Sequence, residues 1–245
     1  MAITSGNPVL RRAGFDQVLA GAETMTLGGT LAKTAMLLGI VMAGMFYAWA
    51  GLPGLGMTET VVYPLLTGSF VVAVVLLIFT SLRPEYASVT APVYAAVQGV
   101  VMGIVTLMLN TRYPGLPLQA AVITIATLMV MLVAYRTGVI KATERFRSVV
   151  VSCTAAVFVF YLIAFGLSFA GIRIPFLHEG GIIGIGFSLF VVGLAALNLI
   201  LDFDLIEQGI GSAPEQLEWF AAFGLVVTLV WLYFEILRLL QKLRR

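Results

Sequence analysis

Carboxylates held inside apolar, membrane-length runs are the residues of this chain with chemistry to offer. The run Asn198-Leu199-Ile200-Leu201-Asp202-Phe203-Asp204, followed by Glu207, carries acids into its own last turns, and Glu235 sits inside the final apolar run. An aspartate at the centre of a bilayer costs roughly 2.5–3.5 kcal/mol on insertion scales, so an acid kept there is a functional candidate. Side chains three or four apart share a helix face. That rule pairs Asn198 with Asp202 and Trp231 with Glu235, and it lets Glu235 reach Arg238. Asp204 and Glu207 point to other faces, where the following loop wets them. Each acid also has a purely structural reading: Asp202 marks the membrane boundary, and Glu235 is neutralised by Arg238 near the opposite boundary. If the two acids meet, they share a proton and titrate as a unit. Losing that proton would leave two repelling charges and an oxygen site suited to a hard cation such as calcium.

Other membrane chemistries lack their residues. One histidine, His178, cannot complete an intramembrane Ser-His dyad or a three-histidine zinc centre, and no other nucleophile and base are expected to meet within the membrane. The chain is therefore read as a non-enzyme without a cofactor, and no nucleic-acid partner is expected. Lys33 and Lys242 lie at span ends, which excludes the mid-helix Schiff base of a retinal pigment. Cys153 is the only cysteine, so there is neither a disulfide framework nor a thiolate metal site. His178-Glu179 offers two ligands on a loop, a pattern that usually binds nothing. Gly99 with Gly103, Gly180 with Gly184, and Gly186 with Gly193 and Ala196 have the spacing of close helix–helix contacts along spans three and six.

These residues must be positioned by membrane helices. With 60% hydrophobic residues, 11% charged residues and a mean hydropathy of +1.05, the 245-residue chain cannot be a soluble domain. Apolar runs long enough to cross a hydrocarbon core of roughly 30 Å fall at about 31–51, 61–82, 91–109, 117–135, 148–171, 182–206 and 219–240. The expected fold is all-α, with seven transmembrane helices in one bundle behind a polar amino-terminal segment, residues 1–30. That segment has no signal-peptide core, so the first span is expected to act as its own membrane signal. Arg11-Arg12 lacks the apolar stretch that a twin-arginine signal needs.

Lys and Arg accumulate in cytoplasmic loops. The amino-terminal segment and loops two-three, four-five and six-seven carry eight: Arg11, Arg12, Lys33, Arg83, Arg136, Lys141, Arg145 and Arg147. The opposite side carries six, namely Arg112, Arg173, Arg238, Lys242, Arg244 and Arg245. This favours a cytoplasmic amino terminus. Seven full spans put the basic tail outside, whereas a last segment that dips in and returns would put it inside; Trp219 to Leu240 is long enough to cross.

The stretch Gly186 to Gly209 resembles the sixth span of the Bax-inhibitor-like membrane proteins, in particular their bacterial, YccA-like branch. The resemblance continues through Ser5-Gly6-Asn7-Pro8-Val9-Leu10, Thr90-Ala91-Pro92-Val93-Tyr94-Ala95, Tyr135-Arg136-Thr137-Gly138 and Leu229 to Leu240. It implies a seven-helix fold in which the carboxy-terminal helix is central and two groups of three wrap around it. It further implies a multi-pass protein of the bacterial inner membrane and a pH-sensitive calcium leak. In such proteins acids on helices six and seven share a hydrogen bond near an arginine of helix two. Asp202 matches the first acid, Arg83 is the counterpart of the arginine, and Asn198 shares the Asp202 face. The second acid departs from the pattern, because aligning the tail puts Trp231 where it should fall, one turn before Glu235. Glu235 is 16 residues beyond Trp219, about 24 Å at 1.5 Å per residue. Either the Gln208–Glu218 loop shifts helix seven, or Glu215 or Glu218 takes the partner's place. The competing class, also implied by the resemblance, is a non-transporting adaptor that restrains a membrane protease or serves a stress response. Its docking surfaces would be the basic Lys141–Arg147 and acidic Asp204–Glu218 loops, which could equally be ordinary topology determinants.

Overall fold

Inside a bilayer the backbone has no water to bond, so a chain this apolar satisfies its N–H and C=O groups within helices. The computed structural model describes residues 23–51, 59–169 and 181–244. The motifs at Ser5–Leu10, Arg11-Arg12 and His178-Glu179, with Gly180, lie outside the described residues. The helices are α1 (Leu27–Gly51), α2 (Glu59–Leu82), α3 (Ala87–Arg112), α4 (Leu116–Arg136), α5 (Glu144–Phe169), α6 (Ile182–Gly209) and α7 (Leu217–Leu243), with a short 3-10 turn, Pro84–Tyr86, between α2 and α3. All seven are long and apolar enough to cross a membrane. The 27 residues of α7 form one continuous helix of about 40 Å, which leaves no break for a dip and return.

Local chemistry sets the ends. The Thr26 hydroxyl accepts the Gly29 N–H at 3.0 Å, a cap that starts α1 four residues before the apolar run at 31. Thr143 does the same for α5, accepting from Phe146 N at 3.3 Å. Pro84 ends α2, because the residue before a proline is disfavoured in helix. Between α3 and α4 the chain turns through Gly115, whose φ of 78° suits glycine, and Asn110 Oδ1 accepts the Gly115 N–H.

The helices sort by burial. Of the apolar window of α7, 72% is buried, against 11% for α2 and for α5. Helices α1, α3, α4 and α6 pack directly on α7, while α2 leans on α3 and α5 on α6. One triplet is thus α1–α3 and the other α4–α6, wrapped around α7 as the resemblance implies. The α1–α3 contact is the tightest: Gly44 approaches Ala96 and Gly99, Gly99 lies against the Val41 backbone, and Gly103 against Met45 and Ala48. The expected packing role of Gly186 and Gly193 is corrected, since a Cβ on either would meet nothing within 4 Å. Both are on the exposed side of α6, while Gly184 and Ala196 are buried. Cys153 is half-buried beside the Val150 and Val157 cluster.

The contrast yields a test. Gly99→Ala forces a methyl into the α1 backbone and should cost about 1–3 kcal/mol, as overpacking does; Gly186→Ala should be neutral or slightly stabilising. Thermal unfolding in detergent reads both, and equal midpoints would contradict this packing.

Candidate functional site between helices six and seven

Asp202 projects from α6 towards α7 at Gly224, where an added Cβ would stand 3.6 Å from Asp202 Oδ1. Its polar neighbour there is Thr228, one turn along α7, whose hydroxyl also donates to the Gly224 carbonyl at 3.2 Å. Oδ2 of Asp202 is buried and has no hydrogen-bond partner among the described residues. A charged carboxylate in such a place is uncompensated and costs several kcal/mol, whereas a proton or a cation on Oδ2 removes that cost.

Glu235 is the opposite case. It is 1% exposed, and both of its oxygens accept from Arg238 Nη1 at 3.0 Å. Trp231 Nε1 approaches Oε1 at 3.3 Å, and Arg238 also donates to the Tyr161 hydroxyl while lying 4.9 Å from the centre of that ring. Glu235 follows Gly224 by 11 residues, about 16 Å along α7. Asp202 and Glu235, whose contact the sequence left open, do not meet: straight helices hold them apart, and Glu235 pairs with Arg238, which joins α7 to α5 through Tyr161.

The other expected members also part company. Arg83 ends α2 at the surface, paired with Glu85 at 3.3 Å and itself 65% exposed, with no bond to Asp202. Asn198 turns to α5, donating to Thr154 Oγ1 at 2.8 Å and to the Leu194 carbonyl at 2.9 Å. Asp204 and Glu207 are more than wetted: Arg147 Nη2 reaches Asp204 at 2.6 Å, Gln208 donates to the same oxygen, and the Tyr135 hydroxyl donates to Glu207. These contacts tie α4, α5 and α6 at the end where Asp202 lies.

Two buried clusters lay beyond the expectations. Glu218, in the first turn of α7 and 1% exposed, accepts from Lys33 Nζ at 2.6 Å, from Thr26 N at 2.7 Å and from the Thr26 hydroxyl at 2.9 Å. Glu215 holds the other side of Lys33 at 3.1 Å, and the ammonium lies 5.7 Å from the Trp219 ring centre. The only sequence signal was an acid at the start of an apolar span, where the helix dipole favours it; the partner is 185 residues away. At the far end Lys242 Nζ donates to Ser188 Oγ at 2.9 Å and to the Gly184 carbonyl at 2.9 Å. A nucleophile type and a base type thus do meet, contrary to expectation. Ser188 is fully buried in a helix whose own ladder uses the nearby N–H groups, so the contact is a tether from α7 to α6.

The two acids should differ in stability assays. Glu235→Gln strands the Arg238 charge, worth about 3–5 kcal/mol if fully buried but nearer 1–3 because Arg238 is 36% exposed. Asp202→Asn removes an uncompensated charge and should cost less than about 1 kcal/mol or stabilise at alkaline pH. Unfolding midpoints that fall equally for both would sink this distinction.

No curated protein and no solved structure matches the chain. The family described as Bax inhibitor 1 like matches residues 7–245, which takes in all seven helices, the α6 acid and its α7 neighbours. With that span covered, the chain belongs to the Bax inhibitor 1 like family.

Proposed function

We propose that this protein is a pH-sensitive calcium leak in which Asp202 alone takes up and releases the controlling proton. The reading places the chain in the bacterial, YccA-like branch and in the inner membrane, with the Lys33 end of the bundle in the cytoplasm. One observation carries it: Oδ2 of Asp202 is buried and unpartnered among the described residues, on a carboxyl whose other oxygen faces Gly224, with Thr228 as its polar neighbour on the central helix. Protonated, the side chain is a neutral group that lets α6 and α7 stay closed. Ionised, it needs water or a cation, and either requires the helices to part locally. Calcium prefers oxygen ligands. A single carboxylate with one hydroxyl nearby binds weakly enough for the ion to leave again, as conduction requires. No covalent step is involved, and the protein is not an enzyme on this reading.

The adaptor reading has less to work with. Its charges are largely spent within the chain, Arg147 on Asp204 and Lys33 on Glu215 and Glu218. What remains for a protease partner is the exposed Lys141 and Arg145.

The test is calcium flux into liposomes holding the purified protein, stepped from mildly acidic to mildly alkaline pH. The parent should show a pH-dependent flux, Asp202→Asn should flatten the pH response, and Glu235→Gln should keep it with less folded protein. An Asp202→Asn variant with the parental profile would remove Asp202 from the gate. A folded parent without flux would move the reading to the adaptor.

A further inference from the structure

Residues 23–26 lie across the connection between α6 and α7. Met25 N donates to the Ala213 carbonyl at 2.8 Å, Glu215 N to Glu23 at 2.9 Å and Gly211 N to Met25 at 2.9 Å, with Thr24 opposite Pro214 as an antiparallel pair. Met25 is 2% exposed, and its sulfur occupies the room left by the missing side chain of Gly209, the last residue of α6. Gly211 turns the chain at φ 71°. This short ribbon ends on Glu218, which gathers the Thr26 N–H, the Thr26 hydroxyl and Lys33 on one buried carboxylate. Glu218 precedes Gly224 by six residues, about 9 Å along α7. The fastening therefore sits within two turns of the contact between Asp202 and α7, at the same end of the bundle.

We propose that Glu218 is a positioning residue for the Asp202 contact, holding residues 23–26 as a strap that keeps the start of α7 against the end of α6. This rests on the leak reading above. Separating α7 from α6 at Gly224 pulls on the 211–215 connection, and that connection is bonded to the strap at three backbone positions. Opening then requires the strap to let go, and Glu218 is the point at which α1, the strap and α7 are joined. The carboxylate is well suited to the role, because charge-assisted bonds from an ammonium and a backbone N–H are about twice as strong as neutral ones.

The Thr24 and Pro214 pair belongs to the non-hydrogen-bonded type, in which Cα atoms stand about 4.5 Å apart. That spacing accepts a disulfide, so Thr24→Cys with Pro214→Cys, in a Cys153→Ala background, can lock the strap reversibly. In the liposome assay the oxidised protein should lose calcium flux several-fold at the conducting pH and regain it on reduction. Glu218→Gln, and separately Lys33→Met, should raise flux several-fold at the resting pH and still respond to Asp202→Asn. Equal flux in the oxidised and reduced proteins, with the parent conducting, overturns the strap and leaves the leak reading standing. Unchanged resting flux in Glu218→Gln does the same without relying on the cysteine pair. A folded parent with no flux overturns the leak reading itself.

Discussion

Burial of the central helix is the constraint on which the rest of this structure depends. Lipid gives helices no hydrophobic reason to associate, so close packing and interhelical hydrogen bonds must do it, each polar contact contributing about 0.6–2 kcal/mol. Nearly every polar side chain of α7 is spent on a different neighbour. Glu218 takes Lys33 of α1, Tyr233 shares a hydroxyl contact of 2.8 Å with Thr106 of α3, and Arg244, the residue that caps the end of α7, reaches Gln119 of α4. Arg238 reaches Tyr161 of α5, and Lys242 reaches Ser188 of α6. Helix α2 instead holds to α3, through Thr80 and Thr90. One polar rivet per surrounding helix explains how seven apolar rods adopt a single arrangement.

Against that pattern Asp202 is the exception. It is carried by α6, aims at α7 and finds no donor for its second oxygen among the described residues. Glu235 is the more deeply buried of the two and carries the same acid group, yet its neighbours supply an ion pair and an indole N–H. The difference lies in what each faces on the opposite helix. A glycine and a threonine that also bonds its own backbone leave one oxygen of the Asp202 carboxyl unsatisfied. An unsatisfied buried oxygen is what a group needs if it is to exchange a proton or meet an ion.

The sequence made the fold legible because lipid imposes length and composition on each span, and those survive without tertiary context. Helix ends shifted by a few residues where capping by Thr26 and Thr143 extended them. Within one helix the reading also worked: Trp231, Glu235 and Arg238 share a face by spacing alone, and they are bonded. Between helices it failed in instructive ways. Gly99 and Gly186 are equally small, but only the packing partner decides which one is a contact. Arg83 reads as a plausible companion for Asp202 until the end of α2 is placed at the surface beside Glu85. Lys33 and Glu218 are 185 residues apart, and no local rule couples them. Four of the charges that had counted towards topology, Lys33, Arg147, Arg238 and Lys242, are internal fasteners.

The distribution of fasteners also limits where the molecule can move. Both ends of α7 are pinned, by Glu218 and Glu215 with Lys33 at one and by Lys242 and Arg244 at the other. A rigid shift of the whole helix would break all of them together, at a combined cost that a single proton on Asp202 could not offset. Of the polar fasteners, motion confined to the start of α7, between Glu218 and Thr228, breaks only the α1 cluster and the ribbon at 211–215. The Asp202 carboxyl meets α7 within that same stretch. A small electrostatic change can therefore act on a small mechanical unit, while the Tyr161, Glu235 and Arg238 knot and the Ser188 tether keep the far half of the bundle closed-packed.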